Sequence, residues 1–394
     1  MGRSISLLTI LTFSLSGLRL VHGQGMRNPP VGANALGQSG AFIAQADDPS
    51  AVVHNPAGLI QLEGNQWLVG FNQVISHTHY QGNIFSADKK FLPTILPYAF
   101  FSSDLGKEKF RFGLGISFPY GQGTKWSQET ARKWNYTSPY YAGMQTADIT
   151  AAACWQLAPN LSAAVALHTY SSRLAVNNLL LLPVGEVESK LRATGTSVTP
   201  AFGLLFQMPQ YSFGLTYQAK FSINHTGKMR FLNLGELPAQ ASINFPAIAG
   251  VGFAFRPYPN WKIEFDGEWI GYATLKEIQL LVGGLSQPQS RQWHDCYTFS
   301  LGTQYQPDHR LWRLQAGLAY IQTPVPASNL EPTLPDASRL AFSLAGERKF
   351  SRTTLAASLT TSFFKKRMGQ SDAPFDGQYT SQAYFLNLTC HSNF

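Results

Sequence analysis

Long apolar runs and cysteine are both scarce in this 394-residue chain. After Gly23 no stretch approaches the roughly 20 apolar residues that a spanning helix requires, which excludes a helical membrane protein. The three cysteines, Cys154, Cys296 and Cys390, lie far apart. That spacing supplies no metal-ligand cluster and selects no disulfide pair. Acidic residues are few: 22 Asp and Glu stand against 30 Lys and Arg, for a net charge of +8. The cations are scattered along the chain rather than gathered, so a nucleic-acid surface is not expected. The surplus suits attraction of anions, either lipid head groups or an acidic ligand. No catalytic constellation assembles. His294, Asp295 and Cys296 are adjacent, but neighbours on a strand point to opposite faces, so only His294 and Cys296 share one. The sequence therefore predicts no enzyme, no cofactor and no metal.

Glycine and aromatics are plentiful, with 34 Gly, 27 Phe, 16 Tyr and 8 Trp. Mean hydropathy is nevertheless close to zero, at −0.10. A membrane β-barrel combines these properties because alternation hides its apolarity from window averages. The first 23 residues carry Arg3, an apolar run from Ile5 to Leu20 interrupted by Arg19, and Gly23 before Gln24. This pattern predicts a cleaved export signal over 1–23.

From residue 64 onward, fourteen amphipathic β segments can be counted, the first at 64–76 and the last at 380–394. An even number allows simple up-and-down closure. In 260–270, Trp261, Ile263, Phe265 and Trp269 fall on one face, and Lys262, Glu264, Asp266 and Glu268 on the other. The first face suits lipid, and the second suits a wet or hydrogen-bonded lumen. Many segments run ten residues or more, beyond the usual strand of a soluble sandwich. Short links, such as Pro159, Pro209–Gln210 and Tyr258–Pro259, alternate with long ones at 77–91, 120–139, 173–197, 222–240, 271–291, 321–337 and 365–379. One rim would hold tight periplasmic turns and the other extracellular loops. The fold class expected is an all-β, 14-stranded antiparallel transmembrane β-barrel over 64–394. Residues 24–63, rich in small and turn-forming residues, would form a plug in its lumen.

The run Ala35-Leu36-Gly37-Gln38-Ser39-Gly40-Ala41-Phe42, followed by Ala46 to Val52 and by His54-Asn55-Pro56-Ala57-Gly58-Leu59, resembles the N-terminal hatch of a known family. That family comprises the outer-membrane long-chain fatty acid transporters and their relatives that take up aromatic hydrocarbons. Thr323-Pro324-Val325-Pro326 with Leu334-Pro335-Asp336-Ala337-Ser338-Arg339, and the acidic-aromatic stretch Lys262 to Tyr272, resemble the same family. The resemblance implies a monomeric barrel in the cell outer membrane with a hatch in its lumen. It implies diffusive uptake of hydrophobic small molecules such as fatty acids. Outer-membrane lipid surrounds such a barrel, and the barrel-assembly machinery, which recognises an aromatic end such as Phe394, would fold it. A surface adhesin or structural porin-like protein on the same scaffold is the alternative.

Four groups of residues follow as site candidates. Asn55, Pro56, Ala57 and Gly58 form the hatch motif. Gly113, Gly115 and Pro119 fall where the family kinks its third strand to give ligand a lateral route, and glycine and proline both weaken a ladder. Leu179, Leu180, Leu181 and Leu182, read as lying in an exposed loop, form an extracellular apolar capture surface. Arg111, Lys262 and Arg313 are lumen cations able to meet a carboxylate, or to pair with lumen acids.

Overall fold

The computed structural model describes residues 25–183, 185–307 and 311–394. The export-signal reading of 1–23 lies outside them. Twenty strands form one sheet: β1 (Asn65–Gln81), β2 (Ser86–Asp88), β3 (Thr94–Ser103), β4 (Phe110–Lys125), β5 (Tyr141–Ala158), β6 (Leu161–Leu182), β7 (Gly185–Gln207), β8 (Tyr211–Gln218), β9 (Phe221–Phe231), β10 (Gly235–Phe245), β11 (Ile248–Tyr258), β12 (Trp261–Ile270), β13 (Glu277–Val282), β14 (Leu285–Ser290), β15 (Cys296–Tyr305), β16 (Trp312–Ile321), β17 (Arg339–Phe350), β18 (Thr353–Phe364), β19 (Arg367–Met368) and β20 (Gln378–Asn393). The wall is β1, β3 to β8, β11, β12, β15 to β18 and β20, which makes fourteen antiparallel strands. It closes where β20 pairs with β1, from Gln66↔Asn393 to Gln81↔Gln378. This pairing joins the first and last wall strands, whose backbone groups would otherwise face hydrocarbon at several kcal/mol each.

The wall follows the alternation of the sequence. On β12, Trp261 and Phe265 are exposed outward, whereas Lys262, Glu264 and Asp266 are buried inside. On β16, Trp312, Leu314, Leu318 and Tyr320 face out while Gln315 is buried. All three cysteines are free thiols.

Three expectations about the connections change. The segment 173–197 is not a loop, because β6 and β7 continue past the wall and pair up to Leu182↔Gly185. The segments 222–240 and 271–291 are largely strands as well. β9 pairs with the outer half of β7, β10 with β9 and β13, and β13 with β14, which extends the sheet beyond the membrane. The single strand expected at 241–257 is two, β10 and β11, with Pro246 and Ala247 between them. Proline has no N–H to give a ladder, so the chain breaks there.

The four leucines consequently lie on β6 rather than in a loop. Leu180 and Leu182 are buried in a core with Val176, Leu191, Ile223 and Phe231. Leu179 packs with Ala131 and Tyr140. Only Leu181 is open to solvent, at 58 %. Burial of Leu179 on one face and of Leu180 and Leu182 on the other explains three of the four leucines, and Leu181 is the exposed member.

Replacing Leu180 by Ser is expected to destabilise the outer sheet by about 3 kcal/mol through lost burial and a polar group in an apolar core. Hydrogen exchange should quicken in β9 and β10 and stay unchanged in β15 to β18. Equal acceleration throughout would show that the outer sheet has no stability of its own.

Candidate functional site

The N-terminal segment enters the barrel and stays there. It carries two short helices, α1 (Ala33–Gly37) and α2 (Ala51–His54), and a 3₁₀ turn at Pro56–Gln61. Such small pieces leave many main-chain N–H groups without partners of their own. One wall strand supplies the acceptors. Asp266 Oδ2 accepts from the N–H groups of Phe42 (2.7 Å) and Ile43 (2.8 Å). Glu264 Oε1 accepts from Ala44 (2.7 Å) and Gln45 (3.2 Å). The two other inward positions of β12 also reach this segment. Glu268 receives both ends of the Arg27 guanidinium, at 2.6 and 2.9 Å, and Lys262 lies 3.4 Å from Asp47.

The Asn-Pro-Ala-Gly run sits against β6 and β7, three strands and more from β12. Asn55 donates to the carbonyls of Ile43 (2.8 Å) and Leu204 (3.1 Å), and so joins the segment to β7. Gly203 is required there, because a Cβ on it would lie 2.3 Å from Asn55 Oδ1. Pro56 opens the 3₁₀ turn, where its missing N–H costs nothing. The Ala57 carbonyl accepts from Ser162 Oγ at 2.9 Å. Gly58 packs directly on the Ala46 main chain.

Gly113 and Gly115 do not bend β4. Gly113 makes room for the N-terminal segment, since a Cβ on it would lie 2.5 Å from Val52, and Gly115 makes room for the Phe100 ring of β3, 2.4 Å from where its Cβ would lie. The irregularity lies further on, between Ser117 and Tyr120, where the β4–β5 register shifts around Pro119. From there β4 also loses its other neighbour. The β3–β4 ladder spans only Ala99↔Ile116 to Ser103↔Phe112, although β3 begins at Thr94 and β4 runs on to Lys125. A gap in the wall results. Residues 26–28 cap the freed edge of β4: Asn28 N donates to Pro119 O (2.8 Å), and Gly121 N donates to Met26 O (3.0 Å).

The three expected lumen cations all have protein partners. Lys262 meets Asp47, and Arg313 lies 3.6 Å from Glu347. Arg111 donates to the carbonyls of Leu62 and Lys107. They tie the N-terminal segment and the periplasmic rim together, away from the gap.

Behind the gap lies a cavity of about 480 Å³. Leu92, Thr94 and Leu96 border it on the β3 side, and Gly121, Gly123 and Gly143 on the other. A smaller one of about 90 Å³ adjoins it deeper in the barrel, lined by Leu36, Phe42, Ile270 and Tyr272 among others. Arg27, Asn28, Pro29, Arg339 and Phe385 border both. Arg339 is only 6 % exposed. Its guanidinium lies over the Phe364 ring at 4.9 Å, and its Nε has no hydrogen-bond partner. A buried donor without an acceptor is costly, and an anion entering either cavity would supply one. The sequence motif around Arg339 was visible, but its role was not. Its position on the inward face with the small residues Ala341 and Ser343 was the available signal.

Replacing Asp266 by Ala removes the acceptor of two N–H groups and is expected to cost about 3 kcal/mol of local stability. The amides of Phe42 and Ile43 should then exchange ~100-fold faster, with β15 and β16 unaffected. Unchanged exchange at 42–45 would mean that this carboxylate does not anchor the segment.

A family model described as outer membrane protein transport protein (OMPP1/FadL/TodX) matches residues 30–394. The chain is 21% identical over 355 residues to a long-chain fatty acid transport protein of Escherichia coli O6:H1, with 76% of this chain and 77% of that one covered. Among solved structures, a Pseudomonas aeruginosa FadL homologue superposes with a TM-score of 0.84 at 17% identity, covering 94% of this chain and 99% of the other. The Pseudomonas putida toluene transporter TodX superposes with a TM-score of 0.74 at 15% identity, covering 94% and 99%.

Proposed function

The chain belongs to the outer membrane protein transport protein family (OMPP1/FadL/TodX), and from that premise we propose how this member handles its cargo. It is an outer-membrane β-barrel channel for uptake of hydrophobic compounds, and not an enzyme. Family membership favours transport over the adhesin alternative. The cargo we assign is a long-chain acid, with its tail in the apolar cavities and its carboxylate on Arg339. The observation that carries this reading is the buried guanidinium, with an unpaired Nε, at the junction of two cavities. A purely hydrocarbon cargo would leave that donor unsatisfied.

The route follows from what is closed. Toward the outside, Tyr120, Tyr170, Phe221 and Phe245 pack ring on ring, with Tyr170 and Phe221 centroids 4.3 Å apart. Val325 and Leu334 join the same core. Cargo therefore enters or leaves by the side gap between β3 and β4 rather than along this axis. Residues 24–63 act as the plug toward the periplasm, held by the β12 carboxylates and by Asn55. The closed wall needs no second copy, so the working unit is a monomer. Phe394 lies just beyond β20 and is 62 % exposed.

Each buried CH₂ adds roughly 0.8 kcal/mol, so affinity should rise with acyl length until the cavities are full. Replacing Arg339 by Gln is expected to weaken binding of a long-chain acid about tenfold and that of the alcohol of equal length hardly at all. Equal loss for acid and alcohol would remove Arg339 as the carboxylate partner. A second test concerns the plug. Liposomes carrying a folded variant without residues 25–60 should swell faster in small polar solutes than those carrying the full chain. An unchanged swelling rate would show that the segment does not occlude the lumen.

A further inference from the structure

The seam that closes the wall joins the two ends of the chain. Asn72 on β1 and Asn387 on β20 face each other in its ladder and are 315 residues apart in sequence. A ladder between such distant strands carries a large loop-closure cost and forms late. Its backbone bonds do not choose a register by themselves. A slip of two residues keeps every side chain on its own face and remakes most of the ladder. Side chains must therefore fix the register of closure.

A ring of hydrogen bonds across the seam does so. Tyr98 on β3 stands opposite Gly70 on β1, and Gly70 stands opposite Thr389 on β20. Because Gly70 has no side chain, the Tyr98 phenol can cross β1: a Cβ on Gly70 would lie 2.4 Å from the hydroxyl. Thr389 gives its one proton to Asn387 Oδ1 (2.7 Å), so Tyr98 donates to Thr389 Oγ1 (2.7 Å). Asn387 Nδ2 donates back to the Tyr98 hydroxyl (2.7 Å) and also to Asn72 Oδ1 (2.6 Å). Two further bonds tie this ring to the main chain of the N-terminal segment. Asn72 Nδ2 donates to Pro30 O (2.9 Å), and Ala33 N donates to Thr389 Oγ1 (3.0 Å). All four ring residues are buried. Leu36 makes the same crossing with apolar groups. It packs on Ala383 and Phe385 of β20 and against Val74 of β1, and Val74 faces Phe385 in the ladder. Residues 30–36 thus lie along the seam and touch both of its strands.

We propose that residues 30–36 are the template on which the barrel closes in register. Chain order favours this. The segment directly precedes β1, and Pro30 is 42 residues from Asn72, so the tether holds it near β1 before β20 arrives. Docked there, it presents the Ala33 N–H and the Leu36 side chain. β20 meets both when Thr389 lies opposite Gly70. A slip of two residues would bring Asn387 or His391 to that place, break the ring and leave buried polar groups unpaired. This role in folding is separate from occluding the lumen.

The test refolds the full-length chain from urea into phosphatidylcholine vesicles. Heat-modifiable gel migration reports closure, and oxidation of Cys390, which faces Val69 in the ladder, reports register. Residues directly opposite lie within the Cα separation that a disulfide accepts, and residues displaced by two do not. Val69→Cys therefore crosslinks to Cys390 in the native register, and Trp67→Cys or Phe71→Cys in a slipped one. Ala33→Pro deletes the N–H and suits the first position of α1. Leu36→Ala removes the apolar contact, and Thr389→Val removes the hydroxyl at nearly the same shape. Ser162→Ala removes a bond from β6 to the same segment, away from the seam, and serves as the control. The native chain should give the Val69→Cys crosslink alone. Ala33→Pro with Leu36→Ala should slow closure at least about tenfold and raise the slipped crosslinks, Thr389→Val should do the same, and Ser162→Ala should do neither. Seam variants that close at the native rate and crosslink in the native register alone overturn the proposal. Seam variants that unfold faster but close at the native rate also overturn it, because the segment would then brace the closed barrel without guiding it. Slipped crosslinks in Ser162→Ala overturn it as well, since the effect would then belong to any loosening of the segment.

Discussion

Four side chains on one wall strand, Lys262, Glu264, Asp266 and Glu268, have nowhere to go but inward. Their neighbours Trp261, Ile263, Phe265 and Trp269 must face lipid, and a strand offers only two faces. Inside a barrel, carboxylates cut off from bulk water need donors, or the wall is unstable. The N-terminal segment brings those donors as main-chain N–H groups at 42–45 and as the Arg27 guanidinium. The exchange is mutual, because a segment with only short helical pieces cannot satisfy its own N–H groups. The strand and the segment therefore stabilise each other.

The position of the segment in turn decides what is left empty. Val52 and Leu59 fill the space over Gly113, and Asn55 fills that over Gly203. Residues 26–28 reach β4 at Phe118, Pro119 and Gly121, where β4 has parted from β3. Two of the remaining cavities lie beside that gap, and a polar one of about 440 Å³ lies elsewhere, beside Asp47, Arg313 and Glu347. A channel for hydrophobic compounds that is closed along its axis and open at its side keeps apolar cargo out of water on both faces of the wall. This geometry also explains the surplus of cations. Lys89, Lys90, Lys125, Arg173 and Arg192 all border the gap or its outer extension, and burial pulls the Lys89 ammonium down to about 8.

The wall was legible because lipid on one side and a polar lumen on the other impose a strict period of two, which no soluble sheet sustains over so many long strands. The β12 charges were legible for the same reason. The outer sheet was hidden by a different cause. Alternation of short and long links describes chain reversals at the two rims, and it says nothing about whether a long link folds back on the wall strands. β9 alternates Phe221, Ile223, Met229 and Phe231 with Ser222, Asn224, Lys228 and Arg230, so the strand signal was present and was outweighed by link length. The four leucines misled because a strand segment with Leu179, Leu180 and Leu182 buried reads as the same apolar run as a loop would. The glycines of β4 misled because a missing Cβ serves close approach as well as bending, and only the facing residue tells the two apart. Arg339 carried no sequence signal beyond its motif and its inward place beside Ala341 and Ser343, since the cavities next to it are lined by residues from many distant segments of chain.

The central claim is that acidic, hydrophobic cargo occupies the side gap and not the barrel axis. Anomalous diffraction from crystals grown with a fatty acid brominated at its tail measures this directly. The account predicts bromine density between Leu92 and Leu96 on one side and Gly121 and Gly123 on the other, with a cation at the head-group end. Bromine density among Tyr170, Phe221 and Phe245 on the barrel axis, with the gap empty, would contradict it.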